Sequence, residues 1–292
     1  MPEGAQPSGD LLRLPVADAE LAVEVLPGTT DPVLAVHGLS SNRRLWNWLR
    51  AEAPEVALVA PDLRGRGDSV PAGGPSSLAR HAEDLVAVLD ALGLERVRVC
   101  GMSMGAFVAV VLATAHPDRV RDLVLVDGGF PMAASAGLTA DRVRASFAAQ
   151  AGRAERRFAD VADYASYFLQ GAPLLDPADP LLHDYLGHDL RDGRVRLDPE
   201  ALVADAVDTL LGPSPWQQLT RPARLLYAEW SVGAGSTPAY TSERVAGFAA
   251  ELPTLRSTEL VPGVDHAASI MTRRGAAAVA RALREPPDPD AG

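Results

Sequence analysis

The sequence feature that most constrains the fold is a Gly-x-Ser-x-Gly motif, Gly101-Met-Ser103-Met-Gly105, between two apolar segments. Residues 97–100 have the β-branched character of a buried strand, and residues 106–115 have the continuous apolar character of a buried helix. A serine at such a junction lies on a sharp turn, where side chains at Gly101 and Gly105 would collide with the neighbouring helix and strand. We therefore predict a strained Ser103 whose hydroxyl projects above a sheet.

Length and composition indicate a globular protein with one large core. The chain has 292 residues, of which 47% are hydrophobic, and no apolar run reaches the length of a membrane span. Residues 1–10 lack the basic and apolar regions of a signal peptide, which favours a cytoplasmic location and no membrane partner. The richness in Ala, Arg, Gly and Pro is typical of a bacterial genome of high GC content.

Charge and side-chain inventory exclude several classes of function. A net charge of −11 disfavours nucleic acid and anionic membranes as partners and favours a small, neutral molecule. All 27 basic residues are arginine, so no lysine is available for Schiff-base chemistry. The single cysteine, Cys100, excludes an intramolecular disulfide, and its place in a predicted strand indicates an inert thiol. No grouping of His, Asp and Glu has convincing metal-ligand spacing, so no metal is predicted.

Strands and helices alternate along most of the chain, which predicts an α/β fold with a mostly parallel, doubly wound sheet. Residues 11–16 and 21–25 are predicted to form an antiparallel pair. The other predicted strands are 32–36, 56–60, 97–100, 122–126, 223–228 and 258–261. Predicted helices outside the middle of the chain are 78–92, with Ser76 and Ser77 as candidate caps, 106–115, and 274–283.

The strand rhythm disappears between residues 131 and 220, where helical patterns such as 140–157 and 199–211 take over. The aromatic residues Phe147, Phe158, Tyr164, Tyr167, Phe168 and Tyr185 concentrate there, whereas the predicted core of the sheet is aliphatic. We predict a helical cap over 131–220, between a first core segment at 1–130 and a second at 221–284. Residues 285–292 are polar and proline-rich, which predicts a disordered tail.

Four landmarks occur in the same order as in the α/β-hydrolase fold family, which the chain resembles over nearly its whole length. They are His37-Gly38-Leu39, Asp62-Leu-Arg-Gly-Arg-Gly-Asp-Ser69, the motif around Ser103, and Gly263-Val-Asp-His266. The resemblance implies the α/β-hydrolase fold, a serine hydrolase, and a cap inserted after the sixth strand. Arg64 and Arg66 of the second landmark are interpreted as an exposed loop pair.

Ser103 needs a general base, because a free hydroxyl is almost entirely protonated at neutral pH. His266 is our choice, since it follows a strand and precedes the last helix, where its ring can reach the serine. His37 is interpreted as an orienting residue of its loop, and His81 and His116 as ordinary helix residues. For His183 and His188 in the cap, a solvated or packing role is preferred over substrate contact.

The acid of the triad has two candidates. Asp127 lies at the end of the strand after the serine helix, which resembles the subgroup of the family that carries its acid there. Glu229 lies at the end of a later strand, whose loop contains no aspartate. Asp127 is preferred and Glu229 is the alternative, whereas Asp265 is rejected because its side chain should diverge from the neighbouring His266.

An oxyanion would be stabilised by two backbone N–H groups, which by match of position in the family are those of Leu39 and Met104. The predicted activity is hydrolysis of a small to medium apolar carboxylic ester or lactone through an acyl-enzyme, with no cofactor. One alternative is another reaction of the same triad, namely carbon–carbon bond hydrolysis, thioester cleavage or cofactor-free peroxyacid formation. The other is a non-catalytic small-molecule receptor on a hydrolase scaffold.

Overall fold

A computed structural model describes residues 9–132 and 137–286, which fold around a mostly parallel sheet. Eight strands form this sheet in the order β1-β2-β4-β3-β5-β6-β9-β10, and β7 and β8 form a separate hairpin. The strands are β1 (Asp10–Val16), β2 (Ala19–Leu26), β3 (Val33–Val36), β4 (Leu58–Pro61), β5 (Val97–Met102), β6 (Val120–Val126), β7 (Leu190–Arg191), β8 (Arg194–Val195), β9 (Ala223–Trp230) and β10 (Leu255–Asp265).

The sheet agrees with the predicted α/β class and its antiparallel start. β1 pairs antiparallel with β2, and β2 pairs antiparallel with β4, whereas the pairs from β4 to β10 are parallel. Every residue of β3, β4 and β5 is buried. Strands covered on both faces are expected to read as continuous apolar runs rather than as alternating patterns, as β3 and β4 do.

Helices cover both faces of the sheet. They are α1 (Asn47–Glu52), α2 (Leu78–Ala91), α3 (Met104–Ala115), α4 (Ala140–Gly152), α5 (Val161–Phe168), α6 (Pro180–Asp189), α7 (Pro199–Leu211), α8 (Ser242–Glu251) and α9 (Arg273–Arg284). Helices α2, α3 and α8 pack in one hydrophobic cluster, and α1 and α9 pack in the other. Ser77 caps α2 as predicted, since its hydroxyl accepts a hydrogen bond from Arg80 N.

The chain between β6 and β9 contains α4 to α7, together with one short hairpin that the sequence pattern did not indicate. β7 and β8 are joined at Asp192 and Gly193, both of which have positive φ (51° and 71°). An Asp-Gly pair is suited to this type of tight turn. Helix α4 is shorter than predicted and ends at Gly152, a residue that weakens a helix. The domain boundaries proposed for the cap stay a prediction.

The end of the chain is attached to the sheet through two arginines. Arg98 Nη2 donates to the Glu285 carbonyl at 3.1 Å, and Arg224 Nε donates to the Glu285 carboxylate at 2.8 Å. Arg224 Nη2 also donates to the Pro286 carbonyl at 3.0 Å. The remainder of the predicted tail, residues 287–292, lies outside the described residues.

Within residues 9–132 and 137–286, no helix combines the length and apolar character that a bilayer span requires.

Candidate active site

Ser103 lies on a strained turn between β5 and α3. Its φ and ψ are 56° and −123°, a left-handed conformation that residues with a side chain rarely adopt. A Cβ atom at Gly101 would lie 2.3 Å from the Gly105 carbonyl oxygen, and one at Gly105 would lie 2.0 Å from the Val36 carbonyl oxygen. Both glycines are therefore needed for the close approach of β5, α3 and β3, as the sequence motif predicts.

Gly105→Ala is expected to destabilise the protein by about 1–3 kcal/mol or more, because the added methyl group forces β3 away from α3. Gly247→Ala is a matched control, since no atom lies within 4 Å of the added Cβ in α8. The control should be neutral or slightly stabilising. Chemical denaturation measures both variants, and an unchanged unfolding free energy for Gly105→Ala would contradict the close packing of this turn.

The site is assembled because parallel strands end at the same edge of the sheet. His37 follows β3, Ser103 follows β5, Asp127 follows β6 and His266 follows β10. β5 is hydrogen-bonded to both β3 and β6, and Ser103 N donates to the Val126 carbonyl at 2.9 Å. The residue after Val126 is therefore held directly beside the serine.

Ser103, His266 and Asp127 form a continuous chain of hydrogen bonds. His266 Nδ1 lies 2.6 Å from Asp127 Oδ2, and His266 Nε2 lies 3.0 Å from Ser103 Oγ. An ionised carboxylate only accepts, so the proton is on Nδ1 and the lone pair of Nε2 faces the serine hydroxyl. The other carboxylate oxygen of Asp127 accepts from Ala228 N at 3.0 Å, which fixes the orientation of the carboxylate.

The two other acids considered from the sequence accept hydrogen bonds from backbone groups and not from His266. Glu229 lies inside β9, and its carboxylate accepts a hydrogen bond from Gly263 N at 2.7 Å. Asp265 accepts from Gly233 N at 2.8 Å and from Ala268 N at 2.9 Å, so it organises the loops on either side of His266. The structure thus places Asp127, and neither Glu229 nor Asp265, at the imidazole.

The environment of His266 favours its protonated form. Burial lowers the pKa of His266, but the hydrogen bond and negative charge of Asp127 outweigh that effect and raise the pKa above its usual value of 6.5. The ring nevertheless remains accessible, since 38% of its side chain is exposed. A histidine with these properties can accept a proton from Ser103 and hold it beside a carboxylate.

The raised pKa of His266 determines how kcat/KM changes at acid pH. Only neutral His266 can act as a base, so kcat/KM should rise with pH and reach half of its maximum above pH 6.5. The measurement is kcat/KM for an ester substrate between pH 5 and 9 at constant ionic strength. A half-maximum below pH 6.5 would contradict the influence of Asp127 on the ring.

The loop after β3 lies against the serine. A Cβ atom at Gly38 would be 3.2 Å from Ser103 Cβ, so only a glycine allows this approach without adjustment. Leu63 N donates to His37 Nε2 at 2.9 Å, which leaves the ring proton on Nδ1 to donate to the Gly38 carbonyl at 2.8 Å. Burial lowers the pKa of His37 to about 4, in agreement with a neutral ring. His37 therefore orients its own loop, as interpreted from the sequence.

The two backbone groups predicted to stabilise an oxyanion lie in segments that adjoin the serine. Met104 is the first residue of α3, where helical N–H groups have no partner within the helix. Leu39 follows Gly38 in the loop that contacts Ser103. Their assignment as oxyanion donors rests on this placement and stays a prediction.

The interpretation of Arg64 and Arg66 as an exposed loop pair is wrong, because both side chains are fully buried. Arg64 forms a bidentate pair with Asp84, at 2.8 and 2.9 Å. Arg66 pairs with Asp205 of α7 at 2.6 Å. A charged residue in a loop normally faces water, but acids from α2 and α7 pair with these two guanidinium groups in the interior.

The remaining histidines have structural partners. His81 of α2 is buried and lies 2.9 Å from Asp205, and His116 at the end of α3 lies 2.8 Å from Glu83. His183 Nε2 donates to the Pro177 carbonyl at 2.9 Å on the surface.

His188 belongs to a polar cluster that sequence spacing did not indicate. Its ligand atom and those of Asp62 and Asp68 all lie within 4.8 Å of one another, a spacing that could hold a metal ion. Arg43 pairs with both acids, and Arg196 pairs with Asp68 and lies 2.9 Å from His188 Nδ1. Guanidinium groups already supply the positive charge, so the cluster is an ion-pair network.

Cys100 has the properties of a structural thiol. It is completely buried in β5, and burial raises the pKa of the thiol to about 12. A thiol with so high a pKa is a poor nucleophile near neutral pH.

Comparison with known proteins gives several proteins named as hydrolases or lipases. A family model described as the alpha/beta hydrolase fold matches residues 31–161. Lipase LipV of Mycobacterium tuberculosis is 42% identical over 101 residues, which are 35% of this chain and 38% of that protein. A 2-hydroxymuconate semialdehyde hydrolase of Pseudomonas putida is 45% identical over 81 residues, which are 26% of this chain and 29% of that protein.

A solved structure extends the likeness to nearly the whole chain. The crystal structure of an E-2-(acetamidomethylene)succinate hydrolase matches with a TM-score of 0.77 at 20% identity, covering 94% of this chain and 97% of that one. At such identity the likeness concerns the fold. The two relatives named above are matched over less than two thirds of their own lengths.

Proposed function

Because the chain belongs to the alpha/beta hydrolase fold family, we propose that it is a serine hydrolase that cleaves a small to medium apolar carboxylic ester or lactone. The observation that carries the proposal is the hydrogen-bonded chain from Ser103 Oγ through His266 to Asp127, at 3.0 and 2.6 Å. These three residue types in this order constitute the activated nucleophile of acyl transfer.

The geometry supports a two-step reaction. Ser103 Oγ attacks the substrate carbonyl while His266 Nε2 takes its proton, and the backbone N–H groups of Leu39 and Met104 stabilise the oxyanion. The C–O bond to the alcohol then breaks, and His266 returns the proton to the leaving oxygen. Water activated by His266 next attacks the acyl-enzyme, which releases the acid and regenerates Ser103. A lactone follows the same steps, with its alcohol retained on the product.

Apolar surface beside the reacting groups supports an apolar substrate. Leu39 and Ala267 are only partly buried; Leu39 is itself a predicted oxyanion donor, and Ala267 directly follows His266. The aromatic residues of α5 and α6 support it less, because they contact one another. The ring centroids of Phe158 and Tyr164 are 4.8 Å apart, and those of Phe168 and Tyr185 are 5.9 Å apart, as in a small aromatic core.

Carbon–carbon bond hydrolysis is the second candidate. The supporting observation is the 45% identity over 81 residues to a protein named 2-hydroxymuconate semialdehyde hydrolase. That reaction would use the same histidine and serine on a vinylogous ketone acid. The third reading, a receptor without turnover, is disfavoured by the intact hydrogen-bonded chain at Ser103.

Steady-state hydrolysis of p-nitrophenyl esters of graded acyl length, together with a set of lactones, tests the proposal. The proposal is supported if turnover depends on acyl length and disappears when a phosphonate modifies Ser103. If no ester or lactone is hydrolysed but a ring-cleavage dienoate is, the second candidate takes its place. Absence of turnover on all three substrate classes would contradict both.

A further inference from the structure

The backbone that carries the Leu39 N–H group is held by two buried arginines. Arg66 Nε donates to the Leu39 carbonyl at 2.9 Å, and Arg153 Nη2 donates to the Ser40 carbonyl at 3.0 Å. Arg66 is fully buried and Arg153 is 6% exposed. Two consecutive peptide groups, which follow Gly38 at its contact with Ser103, thus accept hydrogen bonds from charged donors, which are stronger than neutral ones.

The segment between β6 and β9 provides acids for both arginines. Arg66 Nη1 lies 2.6 Å from Asp205 of α7, and Arg153 Nη2 lies 4.0 Å from Asp189 at the end of α6. The Arg66–Asp205 contact is the closer of the two, and both side chains are fully buried. A second link in the same region runs through the backbone, where Gly67 N donates to the Arg196 carbonyl at 3.0 Å.

Asp205 is itself held by two residues in and just before α2. Ser76 Oγ donates to its Oδ2 at 2.8 Å, and His81 Nε2 lies 2.9 Å from the same oxygen. Burial opposes its ionisation, but His81 and Arg66 outweigh this and lower the pKa of Asp205 to about 2. The carboxylate is therefore a fixed negative charge against which the Arg66 guanidinium is oriented.

We propose that Arg66 is a positioning residue for the oxyanion donor Leu39, and that Asp205 is the anchor that holds Arg66 in place. The proposal rests on the proposed function, because it concerns the oxyanion of acyl transfer. Leu39 lies between two peptide groups. His37 Nδ1 fixes the first through the Gly38 carbonyl at 2.8 Å, and Arg66 fixes the second through the Leu39 carbonyl. With both groups held, the Leu39 N–H has little freedom to rotate.

Only an arginine satisfies this arrangement. Its planar fork donates at the same time to the Leu39 carbonyl through Nε, and to the Arg64 carbonyl and Asp205 through Nη1. A lysine carries one compact ammonium group on a flexible stem and lacks this fixed geometry. The loop, the guanidinium and the α7 carboxylate therefore act as one rigid unit.

The test compares Arg66→Met with Arg64→Met. Arg64 is a matched control, since it is equally buried in the same loop but pairs with Asp84 and Asp18, and its side chain does not contact Leu39. Arg66→Met is expected to lower kcat for ester hydrolysis about 10- to 100-fold with KM within about threefold, as a displaced oxyanion donor affects mainly the transition state. Arg64→Met should retain kcat per folded molecule.

A second readout separates positioning from a purely structural role. A boronic acid that forms a tetrahedral adduct with Ser103 should lose affinity for Arg66→Met by the same factor as kcat/KM. Rates are normalised to the folded fraction by circular dichroism. If Arg66→Met does not fold, Arg66→Lys takes its place, because it keeps the positive charge and loses only the fork. Equal kcat values in the Arg66 and Arg64 variants would overturn the proposal.

The anchor is tested on α7 with Asp205→Asn. Its control is Asp208→Asn. Asp208 also links α7 to α2, because its carboxylate accepts a hydrogen bond from Leu78 N at 2.7 Å, and it does not contact Arg66. A lower kcat in Asp205→Asn alone supports the anchor, and equal kcat in both variants refutes it. The proposed function has its own readout, since it fails if the unmodified chain hydrolyses no ester, whatever the variants do.

Discussion

Replacing Ser103 with alanine is expected to lower kcat for ester hydrolysis about 10⁵- to 10⁶-fold, the range seen when the nucleophile of a serine triad is removed. The alanine lacks the oxygen that lies 3.0 Å from His266 Nε2, so no acyl-enzyme can form. Residual turnover would come from the oxyanion donors and from substrate binding. The measurement is kcat on the best p-nitrophenyl ester, with enzyme free of contaminating esterase.

The fold should survive this change. Alanine has the same Cβ as serine, so the strain at φ 56° is not increased, and Ser103 makes its backbone contact to Val126 through its own N–H. We expect the thermal midpoint to stay within a few degrees, and a fluorophosphonate to label the native chain once and the variant not at all. Activity within tenfold of the native value would show that Ser103 is not the nucleophile.

Replacing Asp127 with asparagine is expected to lower kcat about 10⁴-fold. The carboxylate now holds the proton on His266 Nδ1 from 2.6 Å, whereas an amide can present its NH₂ to that nitrogen and stabilise the wrong tautomer. The Nε2 lone pair would then no longer face Ser103. Loss of the negative charge also removes the partner of the imidazolium that forms during attack.

Glu229→Gln is the matched control for this experiment, because Glu229 is the alternative acid and its carboxylate accepts a hydrogen bond from Gly263 N at 2.7 Å rather than from His266. It should retain kcat within about threefold. Asp127→Asn should also move the acid limb of kcat/KM to lower pH, since Asp127 raises the pKa of His266. Near-native activity in Asp127→Asn together with loss in Glu229→Gln would reverse the assignment of the acid.

Local signals in the sequence were sufficient for the strands of the large sheet, for helices α2, α3 and α9 and for the strained turn at Ser103. Gly101 and Gly105 permit approaches that no other residue allows, and continuous apolar runs mark the buried strands β3 and β4. These features depend on neighbours in the chain or on steric rules that hold in any fold. The same local rules failed for Arg64 and Arg66, because the acids that allow an arginine to be buried lie on other elements.

The sequence by itself determined the α/β fold, the strained turn at Ser103 and the position of His266, because glycine spacing and hydrophobic periodicity act over a few residues. Only the tertiary structure decided between Asp127 and Glu229. Asp127 and His266 are 139 residues apart in the chain, and they meet because the parallel strands before them end at one edge of the sheet. The burial of Arg66 against Asp205 was likewise decided by long-range packing, since a buried charge requires a partner that no local pattern specifies.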